Sequence, residues 1–259
     1  AVLIDGGAER SPSLLRELER RSVRVQAILC THLHPDHVAN NRALIAAYGC
    51  PVYADPADET YARALFAPTP ENAALRERYD LTFDYPILPL TGGILMLDGA
   101  LFSTFPLPGH SPGQRAVVTP DGVCVLGDAM LSETEIRRAK LPYMEDTEKA
   151  VRSMERLRMT CWPWYVAAHM GVFPHGALDR LIDENVRKEL DIYDALRAAV
   201  TGPTELEEAI TALMRAIGIR SNEALQNPVL RGSALVRIRA LEQTGELIRE
   251  GDTVRPNPN

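Results

Sequence analysis

Lysine is nearly absent from this chain. Lys140, Lys149 and Lys188 are its only lysines among 28 basic residues, the rest being arginine, and against 35 acidic residues the net charge is −7. That balance excludes a general nucleic-acid-coating role, because a phosphate backbone attracts a basic face. Cysteine is scarce as well. Cys30, Cys50, Cys124 and Cys161 lie far apart and none forms a C-x-x-C pair, which excludes a zinc ribbon or a thioredoxin-type site. Cys30 and Cys124 sit in apolar runs, and buried reduced thiols are expected for all four, in keeping with a reducing cytoplasm. No apolar run approaches the ~18 residues that a membrane span needs, so no membrane partner is expected. No signal peptide is legible. What is present is ordinary globular material: 259 residues, 46% hydrophobic and 24% charged. That suffices for a sizeable core in one large domain, or in one large and one small.

The chain opens on Ala1-Val2-Leu3-Ile4 without methionine and inside a strand, stopped by Asp5-Gly6-Gly7; residues upstream of it are expected. Ser11 and Pro12 open a helix with Leu14, Leu15 and Leu18 on one face. A buried strand over 25–30, a helix over 41–48 and a strand over 52–54 continue an alternating α/β opening. The stretch 56–85 differs, with helical pieces over 60–66 and 71–79 around Pro68 and Pro70. Short strands over 94–97, 101–107, 115–119 and 123–126, punctuated by glycines, predict hairpins in a second, antiparallel-rich sheet. A helix over 147–158, a strand over 165–168 and a long helix over 177–200 follow, with Trp162 and Trp164 packing beneath the first of these helices.

Gly202-Pro203 is the best domain boundary, giving units 1–200 and 201–259. In the second unit, Thr204 with Glu207 reads as a capping box for a helix over 205–217. A helix over 233–243 and a hairpin over 246–255 make the unit winged-helix-like, and the tail 256–259 is expected to fray. The residues 201–259 carry seven arginines and eight acids, net −1, so packing or homodimer formation suits them better than nucleic acid.

Chemistry concentrates in Thr31-His32-Leu33-His34-Pro35-Asp36-His37, where three of the six histidines fall directly after a buried strand. Open sheets place ligands at strand ends. Pro35 should forbid a helix through the motif and leave a shaped loop. Imidazole suits zinc, iron and manganese, and a carboxylate adds charge neutralisation.

The spacing H-x-H-x-D-H, as His32, His34, Asp36 and His37, resembles the signature of the metallo-β-lactamase superfamily. Further stations follow in order: Asp5-Gly6-Gly7 before the motif, Pro108-Gly109-His110-Ser111-Pro112-Gly113, Gly127-Asp128, and Ala168-His169-Met170-Gly171. The resemblance covers about residues 1–200. It implies an α+β fold, a four-layer αββα sandwich, followed here by the small winged-helix-like unit. It implies that strands of the family upstream of Leu3 are missing from this chain, and that 56–85 is an insertion acting as a lid near the metal mouth.

Carried over residue by residue, the resemblance implies two divalent metal ions, zinc foremost with iron or manganese as alternatives. His32, His34 and His110 would hold the first, Asp36, His37 and His169 the second, and Asp128 would bridge them. Asp36 and Asp128 would be the catalytic carboxylates, serving a metal-bridging hydroxide. Asp5 reads either as a turn residue or, by the resemblance, as the group that orients a ligand histidine. Tyr143 is a candidate substrate-binding phenol. Arg137, Arg138 and Lys140 read as solvated, and His175 as a capping or exposed histidine.

The implied activity is hydrolysis of a small-molecule ester, thioester or lactone, as in the hydroxyacylglutathione hydrolase and lactonase branches. Asp36 and Asp128 argue against the β-lactamase branches, and His34 against the flavodiiron branch. Two alternatives stay open: an endoribonuclease-like, nucleic-acid-processing metallohydrolase, and a mononuclear iron persulfide dioxygenase sharing His32, His110 and Asp128.

Overall fold

A computed structural model describes residues 1–8, 10–70, 72–79, 81–169 and 171–258. Met170 of the last-histidine turn, Glu71 at the start of an expected helix, and Asn259 at the tail lie outside the described residues. The first half of the chain builds β1 (Val2–Ile4), α1 (Pro12–Arg20), β2 (Ala27–Leu29), α2 (Pro35–Val38), α3 (Asn41–Tyr48), β3 (Val52–Ala54), α4 (Pro56–Leu65), α5 (Ala73–Tyr79) and β4 (Ile87–Pro89). Next come β5 (Ile94–Leu97), β6 (Ala100–Pro106), β7 (Arg115–Val118), β8 (Val123–Gly127), α6 (Glu133–Arg138), α7 (Thr147–Leu157), β9 (Trp164–Ala167) and β10 (Gly171–Pro174). A 3₁₀ turn (His175–Ala177) leads into α8 (Leu178–Ala199), and β11 (Thr204–Glu205), α9 (Leu206–Ala216), α10 (Asn222–Gln226), α11 (Pro228–Gln243), β12 (Leu247–Glu250) and β13 (Thr253–Pro256) finish the chain.

Burial along the strands explains the layering. In β2 and β7 successive side chains point to opposite faces. Leu29 and Val117 meet between two sheets, together with Phe102, Tyr53 and Leu95. Ile28 turns outward under Leu18, Leu44 and Ala62 of the helices α1, α3 and α4. Ala116 and Val118 turn the other way, under Met154, Leu157 and Leu181 of α7 and α8. The result is helix, sheet, sheet, helix. One sheet is β1-β2-β3-β4, parallel throughout. The other is β10-β9-β8-β7-β6-β5, antiparallel except for the β8–β9 pair. The third, β11-β13-β12, is antiparallel and belongs to the C-terminal elements.

Several local expectations give way to physical competitors. Pro35 begins the helix α2 instead of forbidding it, because a first-turn proline lacks only an N–H with no intrahelical acceptor. Thr204 caps nothing: it pairs with Val254 in β11, its hydroxyl donates to Gly202 O, and α9 starts after Glu205. The last long helix starts at Pro228 instead of 233, with Asn227 Oδ1 accepting from Val229 N and Leu230 N. The tail is held at Pro256, which pairs with Leu247, and by Asn257 N donating to Glu246 O. Cys161 is exposed, while the other three thiols are buried and all four are free. Trp162 packs against the core over α7, whereas Trp164 is half exposed. In the 56–85 stretch, α4 is part of the helical layer through Ala62 and Phe66. Among the described residues no helix is long and apolar enough to cross a membrane.

The C-terminal elements share a core with the second half of α8, where Ile192 and Leu196 pack against Ile210, Leu213 and Ile238. Inside this seam lies a fully buried ion pair. Arg237 donates through Nη2 to Glu189 Oε1 at 2.6 Å and through Nε to Oε2 at 3.1 Å. Removing one partner strands a charge in a dry interior, at a cost of about 3–5 kcal/mol. Glu189→Leu or Arg237→Met alone should therefore lower urea stability by that amount. The double variant should recover most of the loss; a double variant as unstable as either single one contradicts this account.

Candidate metal centre

The ends of β2 and β8 deliver two of the site's stretches to one place. After β2 the chain runs through Thr31 and His32 to α2. After β8 it reaches Asp128 through Gly127, whose φ is +56°. A Cβ on Gly127 would stand 2.6 Å from Thr31 Oγ1, so only glycine lets these strand ends come this close. His110 arrives on the loop between β6 and β7, and His169 on the turn between β9 and β10.

All seven donors predicted from the sequence fall into two clusters. His32, His34 and His110 form one, and Asp36, His37, Asp128 and His169 the other; within each, donor atoms lie within 4.8 Å of one another. His34 Nδ1 is 2.8 Å from His110 Nε2. Asp128 faces both clusters, with Oδ1 3.3 Å from His37 Nε2 and Oδ2 3.2 Å from His169 Nε2 and 3.5 Å from His110 Nε2. Asp36 Oδ2 lies 3.3 Å from His169 Nε2.

The outward ring atoms of three histidines are already engaged, which orients those rings. His110 Nδ1 donates to the carbonyl of Tyr143 at 3.0 Å. His37 Nδ1 donates to Asp5 Oδ2 at 2.8 Å. His32 Nδ1 is 3.1 Å from Thr31 Oγ1. That leaves His110 Nε2, His37 Nε2 and His32 Nε2 pointing inward. His32 Nε2, His37 Nε2 and Asp128 Oδ1 are buried and have no hydrogen-bond partner; the close approach of the last two is not aligned for one. Buried polar atoms are rarely left so. A nitrogen-and-oxygen donor set with three of its inner atoms unpaired fits divalent metal ions.

Electrostatics divides the clusters. Burial, reinforced by neighbouring imidazoles, holds His32 and His34 well below the usual histidine range, and burial lowers His110 despite Asp128. Burial would lower His37 too, but the carboxylates of Asp5 and Asp128 outweigh it and push it well above that range. Asp128 raises His169. Burial opposes the charge of Asp128, yet His169 and His37 hold its carboxyl well below the usual range. Asp5 and His169 both adopt positive φ, 63° and 56°, a conformation uncommon for non-glycine residues.

Asp5 is thus at once a turn residue and the partner of His37. Its Oδ1 also accepts from Thr31 N at 2.7 Å and its Oδ2 from Thr31 Oγ1 at 2.9 Å. Tyr143 lines a cavity of about 180 Å³ beside His110, Asp128 and His169, walled also by Met130 and Leu141. Its hydroxyl is tied to Glu145 and to Tyr61 OH, the latter at 2.8 Å, and Tyr61 in turn donates to Glu145 at 2.6 Å. Arg137, Arg138, Lys140 and His175 are exposed, and none belongs to either cluster.

Two neighbours escaped the sequence. Tyr61 of α4 sits with its ring 6.1 Å from that of His34. Asp58, also on α4, is fully buried and bonded to both histidine-bearing loops. A signal existed: residues 58, 62 and 66 share the inward face of α4, and an acid there has no packing rationale.

Residues 1–160 match the sequence model of the metallo-beta-lactamase superfamily. The chain is 29% identical over 147 residues to the hydroxyacylglutathione hydrolase GloC of Haemophilus influenzae, covering 55% of this chain and 66% of that protein. It therefore spans just under two thirds of that relative's length. A metallo-beta-lactamase family protein from Thermus thermophilus superposes with a TM-score of 0.76 at 20% identity, over 98% of this chain and 89% of its own. TTHA1623, crystallised in a di-iron-bound form, gives 0.56 at 30% identity over 70% of this chain and 87% of its own.

The Asp5–His37 pair makes the metal-free protein's stability depend on pH. A histidine raised above its unfolded value of ~6.5 contributes stability that is fully present below that pH and is lost as pH rises through the folded value. Urea unfolding in a chelator should show Asp5→Ala less stable than the parent by about 3 kcal/mol at pH 6, where hydrogen bonds to a charged group are lost. The gap should narrow at pH 9. A gap that widens with pH contradicts the assignment.

Proposed function

The chain belongs to the metallo-beta-lactamase superfamily, and on that premise we propose that it is a dinuclear metal-dependent hydrolase of a small ester, thioester or lactone. The observation that carries this reading is the paired donor set with unpaired inner atoms on His32, His37 and Asp128. Seven donors are too many for one tetrahedral ion and about right for two. His32, His34 and His110 would hold the first ion and Asp36, His37 and His169 the second, with Asp128 turned toward both. The ions, when bound, would polarise the attacked carbonyl and lower the pKa of a bound water to ~7. Zinc suits these ligands first. Iron enters as the alternative, because TTHA1623, at 30% identity, was solved with two irons.

The chain's own groups do the rest. Asp128 is the anionic wall between the clusters, and its carboxylate keeps His37 and His169 oriented toward the reacting centre. Tyr143 holds the His110 ring through its carbonyl, and its own ring stands 5.4 Å from that of His110. Met130, Leu141 and Met144 give the small cavity an apolar wall, against which the acyl part would lie. Asp36 and His169 lie on the open side, with side chains 34% and 45% exposed. The leaving group departs there. The hydroxyacylglutathione hydrolase relative supports a thioester as the first substrate to try. Residues 201–259 are assigned as a winged-helix-like unit, on the support of α9–α11 and the three-stranded β11-β13-β12 sheet.

After gentle purification, elemental analysis should give close to two metals per chain, and a panel of thioesters, lactones and esters should include a substrate. Dialysis at pH 6 should remove the second ion before the first. His37 and His169 are raised, so protons compete for them, whereas His32, His34 and His110 stay neutral. Asp128→Ala should lose the second ion and ~10²-fold or more in turnover. One iron per chain, retained at full activity, would sink the dinuclear reading.

A further inference from the structure

We infer that Asp58 is a positioning residue for the three-imidazole cluster, fixing the distance between the loop that carries His32 and His34 and the loop that carries His110. The inference rests on the reading of those histidines as metal ligands. It stands on where the three hydrogen bonds of one buried carboxylate go. Asp58 Oδ2 accepts from Leu33 N at 2.6 Å, and Leu33 is the residue between His32 and His34. Asp58 Oδ1 accepts from the hydroxyl of Ser111, the residue after His110, and from Gly113 N at 3.1 Å. Each oxygen therefore serves a different loop, 25 residues before it in one case and 53–55 after it in the other.

The fit has no slack. A Cβ at Gly113 would stand 2.5 Å from Asp58 N and 2.8 Å from Asp58 Cβ, so the His110 loop is pressed directly onto the first turn of α4. That turn is anchored independently. Asp55 accepts from Ala57 N at its start, and Asp55 also accepts from the buried Arg115 at 2.9 Å. The carboxylate thus sits on a fixed platform in the first turn of α4, where burial raises its pKa and the donors of Ser111, Leu33 and Gly113 oppose that rise. From there it sets how far the His34 and His110 rings, 2.8 Å apart at their nitrogens, can separate. Asp5 does the matching task for the other cluster by touching the ligand ring itself. Asp58 hydrogen-bonds to no ligand side chain and acts only through the residues beside the ligands: the backbone of Leu33 and Gly113 and the hydroxyl of Ser111.

A purely structural role would lower stability and leave metal binding alone, and the test separates the two. Metal-free full-length protein is titrated with Co²⁺ and followed by its visible absorption, for the parent, Asp58→Asn, Asp58→Ala and the control Ala62→Gly. Ala62→Gly weakens the same helix without reaching either loop. Asp58→Ala should bind the first equivalent ~10–100-fold more weakly, the range for lost supports behind ligands, with altered absorption for that equivalent. Asp58→Asn keeps the shape and one acceptor oxygen and should fall between. It carries the test if Asp58→Ala does not fold. The control should bind as the parent does. If folded Asp58 variants keep parental first-equivalent affinity and spectrum, or the control loses as much, the positioning role is overturned while the hydrolase reading stands. A parent chain that takes up no cobalt overturns both.

Discussion

Three polar atoms, His32 Nε2, His37 Nε2 and Asp128 Oδ1, are buried without a partner at the junction of two sheets. Each such atom costs about 1–3 kcal/mol relative to a satisfied one. A chain that folds around them must hold them from behind, and the other half of each side chain shows how. Thr31 stands behind His32, Asp5 behind His37, the Tyr143 carbonyl behind His110, and His169 beside Asp128. The same contacts hold the His32 and His37 rings so that their inner nitrogens stay unpaired, while His34 and His110 meet each other. For His32 and His37, an unpaired inner nitrogen and a paired outer one are therefore a single arrangement.

The four-layer sandwich exists, in this view, to bring loops of distant sequence to one rim. β2 and β8 belong to different sheets, yet Arg115 N donates to Thr31 O and Gly127 abuts Thr31, so the two sheets are joined at the point where the ligands emerge. Two of the five described non-glycine residues with positive φ, Asp5 and His169, stand there as well. Neither conformation is favourable alone. Asp5 keeps it by accepting three hydrogen bonds, and β10, which pairs with β9 immediately after the His169 turn, clamps the other.

The donor residues were legible because their chemistry is local: three histidines and an aspartate in seven positions cannot be read as packing. The layers were legible through strand alternation and through the resemblance those motifs carry. What was not legible depends on tertiary competition. Thr204 and Glu207 have the residue types of a capping box, but pairing with Val254 offers the backbone of Thr204 a better partner than a helix start does. β4 and β10 are short edge strands with no periodic signal of their own, and appear only because β3 and β9 are there to pair with them. Asp58 looks like an ordinary first-turn acid until the loops that it serves are placed beside it.

The two clusters differ in exposure, and that difference assigns directions within the site. His32, His34 and His110 are almost wholly buried, while Asp36 and His169 open to solvent. The buried cluster borders the small apolar cavity through His110, and one wall of that cavity is Leu141. Leu141 is also a member of the core formed by α8 and the C-terminal helices, together with Ile192, Leu196 and Leu213. The cavity wall is therefore set from behind by the seam that Glu189 and Arg237 close. Through Leu141 the C-terminal elements can shape what the site admits while contributing no donor to either cluster. Change in that seam should be felt as altered fit at the cavity before it is felt as loss of metal, since every donor is carried on loops that the first two sheets hold.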